Sequence, residues 1–161
     1  MKNKKSKIWN SKFIELAQAK GYIVKKPTSA QFNRFINFVI VGKGKDSKPQ
    51  PVSLSLKNLK SGKMPKWLWV EIKNREGSPG WLYGDADFIV FELVDEYLFV
   101  NRKNLVEFVH SNIDFSMPLV QNTWEAKYKM YQRNGSLDQI TQIKLDHLKS
   151  FPNNYSWKKQ T

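Results

Sequence analysis

The chain has 161 residues, 40% hydrophobic and 14% aromatic, enough to build one domain around an ordinary core. It holds no cysteine, which excludes disulfides, zinc–thiolate centres and a cysteine nucleophile. Its net charge of +13 is lopsided: residues 1–75 carry 18 Lys and Arg against 3 acids, residues 76–161 carry 9 against 11, so the first half is +15 and the second −2. Such asymmetry points to a polyanion on the face built by the first half, most simply nucleic acid, with an anionic membrane surface and plain solubility as rivals.

Residues 1–7 read as a basic, frayed arm without the apolar stretch of a signal peptide, and no segment approaches the roughly 18 apolar residues of a membrane span. A soluble, cytoplasmic protein with no membrane partner is the expectation. From Ile8 the apolar positions Trp9, Phe13, Leu16 and Ala17 recur at helical spacing until Gly21, predicting a helix over 7–20. Thr28 and Gln31 suit a capping box for a short helix ending near Arg34. The period then changes to alternation: Ile36, Phe38 and Ile40 predict a strand, broken by the loop GKGKDSKPQP, and Val52, Leu54 and Leu56 predict another, with Ser53, Ser55 and Lys57 on its polar face.

A basic linker leads into Trp67–Lys73, whose even positions Leu68, Val70 and Ile72 suit a core and whose odd positions are Trp67, Trp69, Glu71 and Lys73. Residues 86–94, apolar on both faces, read as a central strand paired with 96–100. Asn101 is placed to cap a helix over 102–110. KYKMYQ and QITQIKL flank Asn134-Gly135, the signal of a C-terminal β-hairpin, and a short helix near 145–150 precedes a loose tail over 151–161. The organisation is one α/β (α+β) domain over 8–150, with a central mixed sheet flanked by helices.

Glu71 and Lys73, two apart on a strand, share a face. If the strand carrying Ser53, Ser55 and Lys57 is their neighbour, the polar faces coincide. A carboxylate beside an ammonium on a basic surface suits metal-assisted phosphodiester hydrolysis, the carboxylate holding Mg²⁺ and the lysine offsetting phosphate charge. An ordinary solvent-exposed ion pair has the same spacing.

These residues resemble a known family. Glu15 on a first helix, a β-hairpin, Val70-Glu71-Ile72-Lys73, a short loop and Ala86-Asp87-Phe88-Ile89-Val90-Phe91 together resemble the core of the PD-(D/E)XK nuclease superfamily. In particular they are similar to small phage-type proteins with WVE-x-KN, GWLYG-x-AD and a C-terminal R-x-G…D…T hairpin. The resemblance spans roughly residues 8–146 and implies a restriction-endonuclease-like core and a Mg²⁺-dependent nuclease of phage or mobile-element type. It makes Glu71 the metal ligand, Lys73 the motif lysine and Glu15 a supplementary acid. The family's aspartate on the preceding strand is missing: that stretch reads Leu54-Ser55-Leu56-Lys57, and Asn37 is neutral as well. Asp46 folding back from its loop, or Asp85 and Asp87 from the next strand, would complete the metal site.

Gly77, Gly80 and Gly84 lie within eight residues, which lets the loop take positive φ and approach a ligand. Trp81 and Tyr83 stack on bases in one reading, with Lys57, Lys60, Lys63, Lys66 and Arg75 on the phosphates; in the other the two aromatics fold under the sheet. His110 and His147, without ligands at metal spacing, read as structural or surface residues. Three functions stay open: a nuclease-like protein acting on nucleic acid (DNA before RNA), a non-catalytic nucleic-acid-binding or regulatory protein on the same scaffold, and a protein-interaction module using Trp67 and Trp69.

Overall fold

The computed structural model describes residues 10–42 and 50–160. The arm 1–7, the first residues of the expected helix, and Asp46 with the basic loop around it lie outside the described residues.

Asn10 accepts the Phe13 N–H at 3.1 Å and so caps α1 (Ser11–Ala19), whose Phe13, Ile14, Leu16 and Ala17 form one buried stripe. β1 (Tyr22–Lys25) follows, and Thr28 with Gln31 closes the expected capping box at α2 (Ser29–Asn33). That helix ends without glycine. Phe35 takes φ 64°, and the Ile36 N–H reaches back to Gln31 O at 3.1 Å, a Schellman-type stop. Then come β2 (Phe38–Gly42), β3 (Pro51–Lys57), β4 (Trp67–Lys73), a 3₁₀ turn at Trp81–Tyr83, β5 (Phe88–Glu92) and β6 (Glu96–Asn101). The Asn101 side chain caps α3 (Arg102–Asn112) through the Asn104 N–H, and β7 (Gln139–Lys144), α4 (Leu145–Lys149) and β8 (Tyr155–Lys158) complete the order.

The result is a mixed α/β fold. Six strands form one sheet in the order β1-β2-β3-β5-β6-β8, antiparallel at every pair except the parallel β3–β5. A flat sheet of this width would hold its edges about 24 Å apart. Yet the Tyr22 and Trp157 rings, from opposite edge strands, lie 5.3 Å apart, so the sheet curls round until its edges meet over α1. Inside that curl Phe13 packs on Phe38, Tyr97, Phe99 and Trp157. On the other face Val39, Ile89, Phe91, Leu98 and Val100 meet Val70, Ile72, Leu82, Leu105, Val109, Ile143 and Leu148 from the remaining elements.

Three expectations are corrected. β4 does not neighbour β3: it pairs antiparallel with β7 in a separate two-stranded ladder that lies against the second sheet face through Val70 and Ile72. The apolar alternation is right, but it buries the strand face-on rather than edge-on. The C-terminal hairpin shrinks to one bridge, Tyr131 with Ile140, because β7's long partner is β4. Its turn does form, with Gly135 at φ 73° and the Ser136 N–H on Arg133 O at 3.1 Å. The tail expected over 151–161 is not loose as far as it is described, to residue 160: β8 adds an edge strand to the sheet, and Trp157 is 6% exposed.

Trp157→Ala should therefore cost about 3–5 kcal/mol, the range for a buried large aromatic. Urea unfolding that shows less than about 1 kcal/mol of loss would mean the strand contributes nothing to the core.

Candidate nucleic-acid interface and the Glu71–Lys73 strand

β4 alternates as its sequence requires, but its ladder with β7 shifts between Glu71 and Lys73. The two side chains consequently serve different surroundings. Lys73 is exposed and opens onto a cavity. Glu71 is half-buried, and its Oε1 accepts the Trp81 N–H at 3.2 Å. Lys57, reaching from the second face of the sheet, lies 4.5 Å above the Trp81 ring. Burial lowers the Lys57 ammonium to a pKa of about 8, and the Glu71 charge opposes that shift.

The glycines of the aromatic loop work differently from the expectation. Gly77 takes φ 84°, but Gly80 and Gly84 have ordinary negative φ. They are needed for close approach to the protein itself. A Cβ on Gly80 would stand 2.7 Å from Glu71 O, and one on Gly84 2.6 Å from Arg34 O. The 3₁₀ turn is thus wedged between β4 and the α2–β2 corner. Trp81 is buried beneath it, ring to ring with Phe91, as in the reading that folds it under the sheet and not in the one that stacks its indole on a base. Tyr83 is half-buried, its hydroxyl 2.6 Å from His110 Nε2.

The acids do not gather. Asp85 receives Arg34 Nε and Nη2 at 3.1 and 3.0 Å, and that hydrogen bonding holds its carboxyl below the usual range. Asp87 accepts the Ser53 N–H and hydroxyl at 2.9 and 3.0 Å. Ser53 and Lys57 stand four residues apart along β3, roughly 13 Å at strand rise, so Asp87 is distant from the Glu71–Lys57 neighbourhood. Glu15 is exposed on α1, the helix that covers the opposite sheet face. Among the described residues no group of three His, Asp or Glu side chains is placed to hold a metal. Where the resemblance wants an aspartate, Ser55 is fully buried and its hydroxyl has no protein partner. Asn37 instead extends the ladder, its Oδ1 accepting the Leu56 N–H at 2.7 Å.

Mg²⁺ needs oxygen ligands at about 2.1 Å and competes with any cation already attracted to the same carboxylate. At Glu71 a peptide N–H engages Oε1, and the Lys57 charge acts on the same carboxylate. The remaining cations are freer. Lys60, Lys63, Lys66, Lys73 and Arg75 are all exposed, and none joins an ion pair with a described residue.

Trp67 and Trp69 are half-buried, Trp67 under Tyr128 and Lys127 and Trp69 under Tyr131. His147 bonds the Tyr128 hydroxyl, as His110 bonds that of Tyr83. Sequence reasoning read His110 as structural or surface and passed over Phe115 and Gln139, yet the three surround Tyr83 and Lys73; no spacing links them, since they meet through tertiary packing. No helix among the described residues is long and apolar enough to cross a membrane. No family model, curated protein or solved structure matches the chain.

Two outcomes follow. Gly80→Ala should lose about 1–3 kcal/mol, the cost of overpacking a close backbone approach, and an unchanged melting temperature would refute the wedge. For Lys57 the folded pKa lies below the unfolded 10.5, so between about pH 8 and 10 the unfolded chain binds more protons and stability rises with pH. Urea midpoints at pH 7, 8, 9 and 10 should show that rise in wild type and a smaller one in Lys57→Met; parallel curves would contradict it.

Proposed function

We propose that this chain is a nucleic-acid-binding protein on a nuclease-like scaffold, of phage or mobile-element type, that holds the phosphate backbone without cleaving it. The observation that carries this reading is the run of exposed cations Lys60, Lys63, Lys66, Lys73 and Arg75 along one stretch of chain, from the β3–β4 connection to the turn after β4, none of them in an ion pair with a described residue. Point charges in series, with no described carboxylate bridged to them, favour a polyanion. Lys57 is excluded from that set because it is half-buried over Trp81. DNA is preferred to RNA only as the simpler expectation of such a scaffold.

The restriction-endonuclease-like core belongs to this reading too. α1, the antiparallel β2–β3 pair and the parallel β3–β5 pair support it; β4 speaks against it, since Glu71 and Lys73 ride on a ladder stacked over the sheet. Mg²⁺-dependent hydrolysis is the second reading, favoured by the Glu71-Ile72-Lys73 spacing. Against it stand the engagement of Glu71 by Trp81 and Lys57, and of Asp85 and Asp87 by Arg34 and Ser53. The protein-interaction reading is weakened by the cover over Trp67 and Trp69.

Fluorescence anisotropy with labelled DNA and RNA over a salt series tests the proposal. Lys60→Ala, Lys63→Ala and Lys66→Ala combined should reduce the slope of log K against log salt by about 0.7–0.9 for each of these lysines that neutralises a phosphate. Binding that ignores these substitutions would refute the interface. Strand cleavage in Mg²⁺ that disappears with Glu71→Ala would replace this reading with the hydrolytic one.

A further inference from the structure

After β4 the chain turns through Asn74, whose side chain accepts the Glu76 and Ser78 N–H groups at 3.0 Å each, and returns through Pro79 into the 3₁₀ turn. Beside this turn lies a cavity of about 440 Å³, within the range of small-ligand sites. Ile72, Pro79 and Phe115 give it apolar surface, and Lys73, Tyr83 and Gln139 give it polar groups. Phe115 is 45% exposed. It is braced nonetheless: His110 meets it edge-on with ring centroids 5.7 Å apart, and His110 holds the Tyr83 hydroxyl at 2.6 Å. Three rings from the 3₁₀ turn, α3 and the segment after α3 thus form one supported wall. Lys73 enters with no ion pair among the described residues, and the Gln139 amide offers both donors and an acceptor.

A planar apolar surface, an amide and an ammonium around one small cavity match the base face, the base edge and the phosphate of a nucleotide. We propose that this cavity receives one unstacked nucleotide of a single-stranded nucleic acid, its base on Phe115, its base edge at Gln139 and its phosphate on Lys73. The inference rests on the nucleic-acid reading above and deepens it. A base inside a duplex is stacked on both sides and has no free face for Phe115, so the site selects single strands, loops or frayed ends.

The test is anisotropy with a short labelled oligodeoxythymidine and a duplex of equal length, with thymidine monophosphate as competitor, on wild type, Phe115→Ala, Phe115→Trp and Lys73→Met. Phe115 and Lys73 are exposed, so the fold should survive, and thermal melts check that it does. Phe115→Ala should weaken single-strand binding about 10-fold and leave duplex binding unchanged, and Phe115→Trp should restore it. Lys73→Met should lower the single-strand salt slope by about 0.7. Oligonucleotides bound equally by wild type and Phe115→Ala would overturn the cavity while leaving the basic interface standing. Monophosphate bound by wild type and not by Phe115→Ala, with no oligonucleotide bound, would keep the cavity and reject the interface. No binding of any of these would overturn both.

Discussion

Phe13 is the hub on which the sheet depends. Its ring lies 5.3 Å from Phe38, 5.2 Å from Tyr97 and 5.7 Å from Trp157, and these belong to β2, β6 and β8, strands from across the whole sheet. Strand twist alone makes a six-stranded sheet saddle-shaped; a single helix presenting an aromatic to so many strands makes it curl. With the concave face filled by α1, the convex face is left to receive everything else. β4, β7, α3, α4 and the aromatic loop all pack there, so that face carries the candidate chemistry.

On that second face the close backbone approaches at Gly80 and Gly84 decide which side chains stay accessible. Pressing the 3₁₀ turn against Glu71 and the Arg34 carbonyl drives Trp81 inward over Phe91 and turns Tyr83 outward toward His110. Lys57 then finds its neighbours in Trp81 and Glu71, and is withdrawn from solvent, whereas Lys73 beyond the ladder shift remains open. Two lysines that look equivalent in sequence thereby acquire different characters. One is a partly desolvated structural cation, and the other is open to meet an anion.

How legible this was in the sequence varies with how local the determining physics is. The α2 capping box, the Asn101 cap of α3 and the apolar positions of β3 and β4 are decided by residues a few positions apart, and all lie where the pattern puts them; the other face of β3, read as polar, is instead buried at Ser55. β1 and β8, four residues each, are not announced: Tyr22 and Trp157 make sense only once they meet each other around Phe13. The partner of β4 was hidden for the same reason, since alternation reveals a buried face but not the strand across the ladder. At the site, the glycine pattern was visible but its purpose was not, because a close approach to the chain's own backbone reads in sequence like one to a ligand. Asp85 and Asp87 looked available for a metal; Arg34 and Ser53, remote in sequence, had already engaged them.

The stacking of Trp157 on Phe13 also bears on how the molecule is made. Synthesis is vectorial, and domains ordinarily begin to fold as they leave the ribosome. Here the helix at the start of the described chain cannot complete its burial until the strand near the other end has been translated and has paired with β6. During that interval the apolar stripe of α1 and the concave face of the half-built sheet stay uncovered, a long-range closure of the kind that slows folding. Its yield in a cell should therefore be governed by the lifetime of that open nascent state.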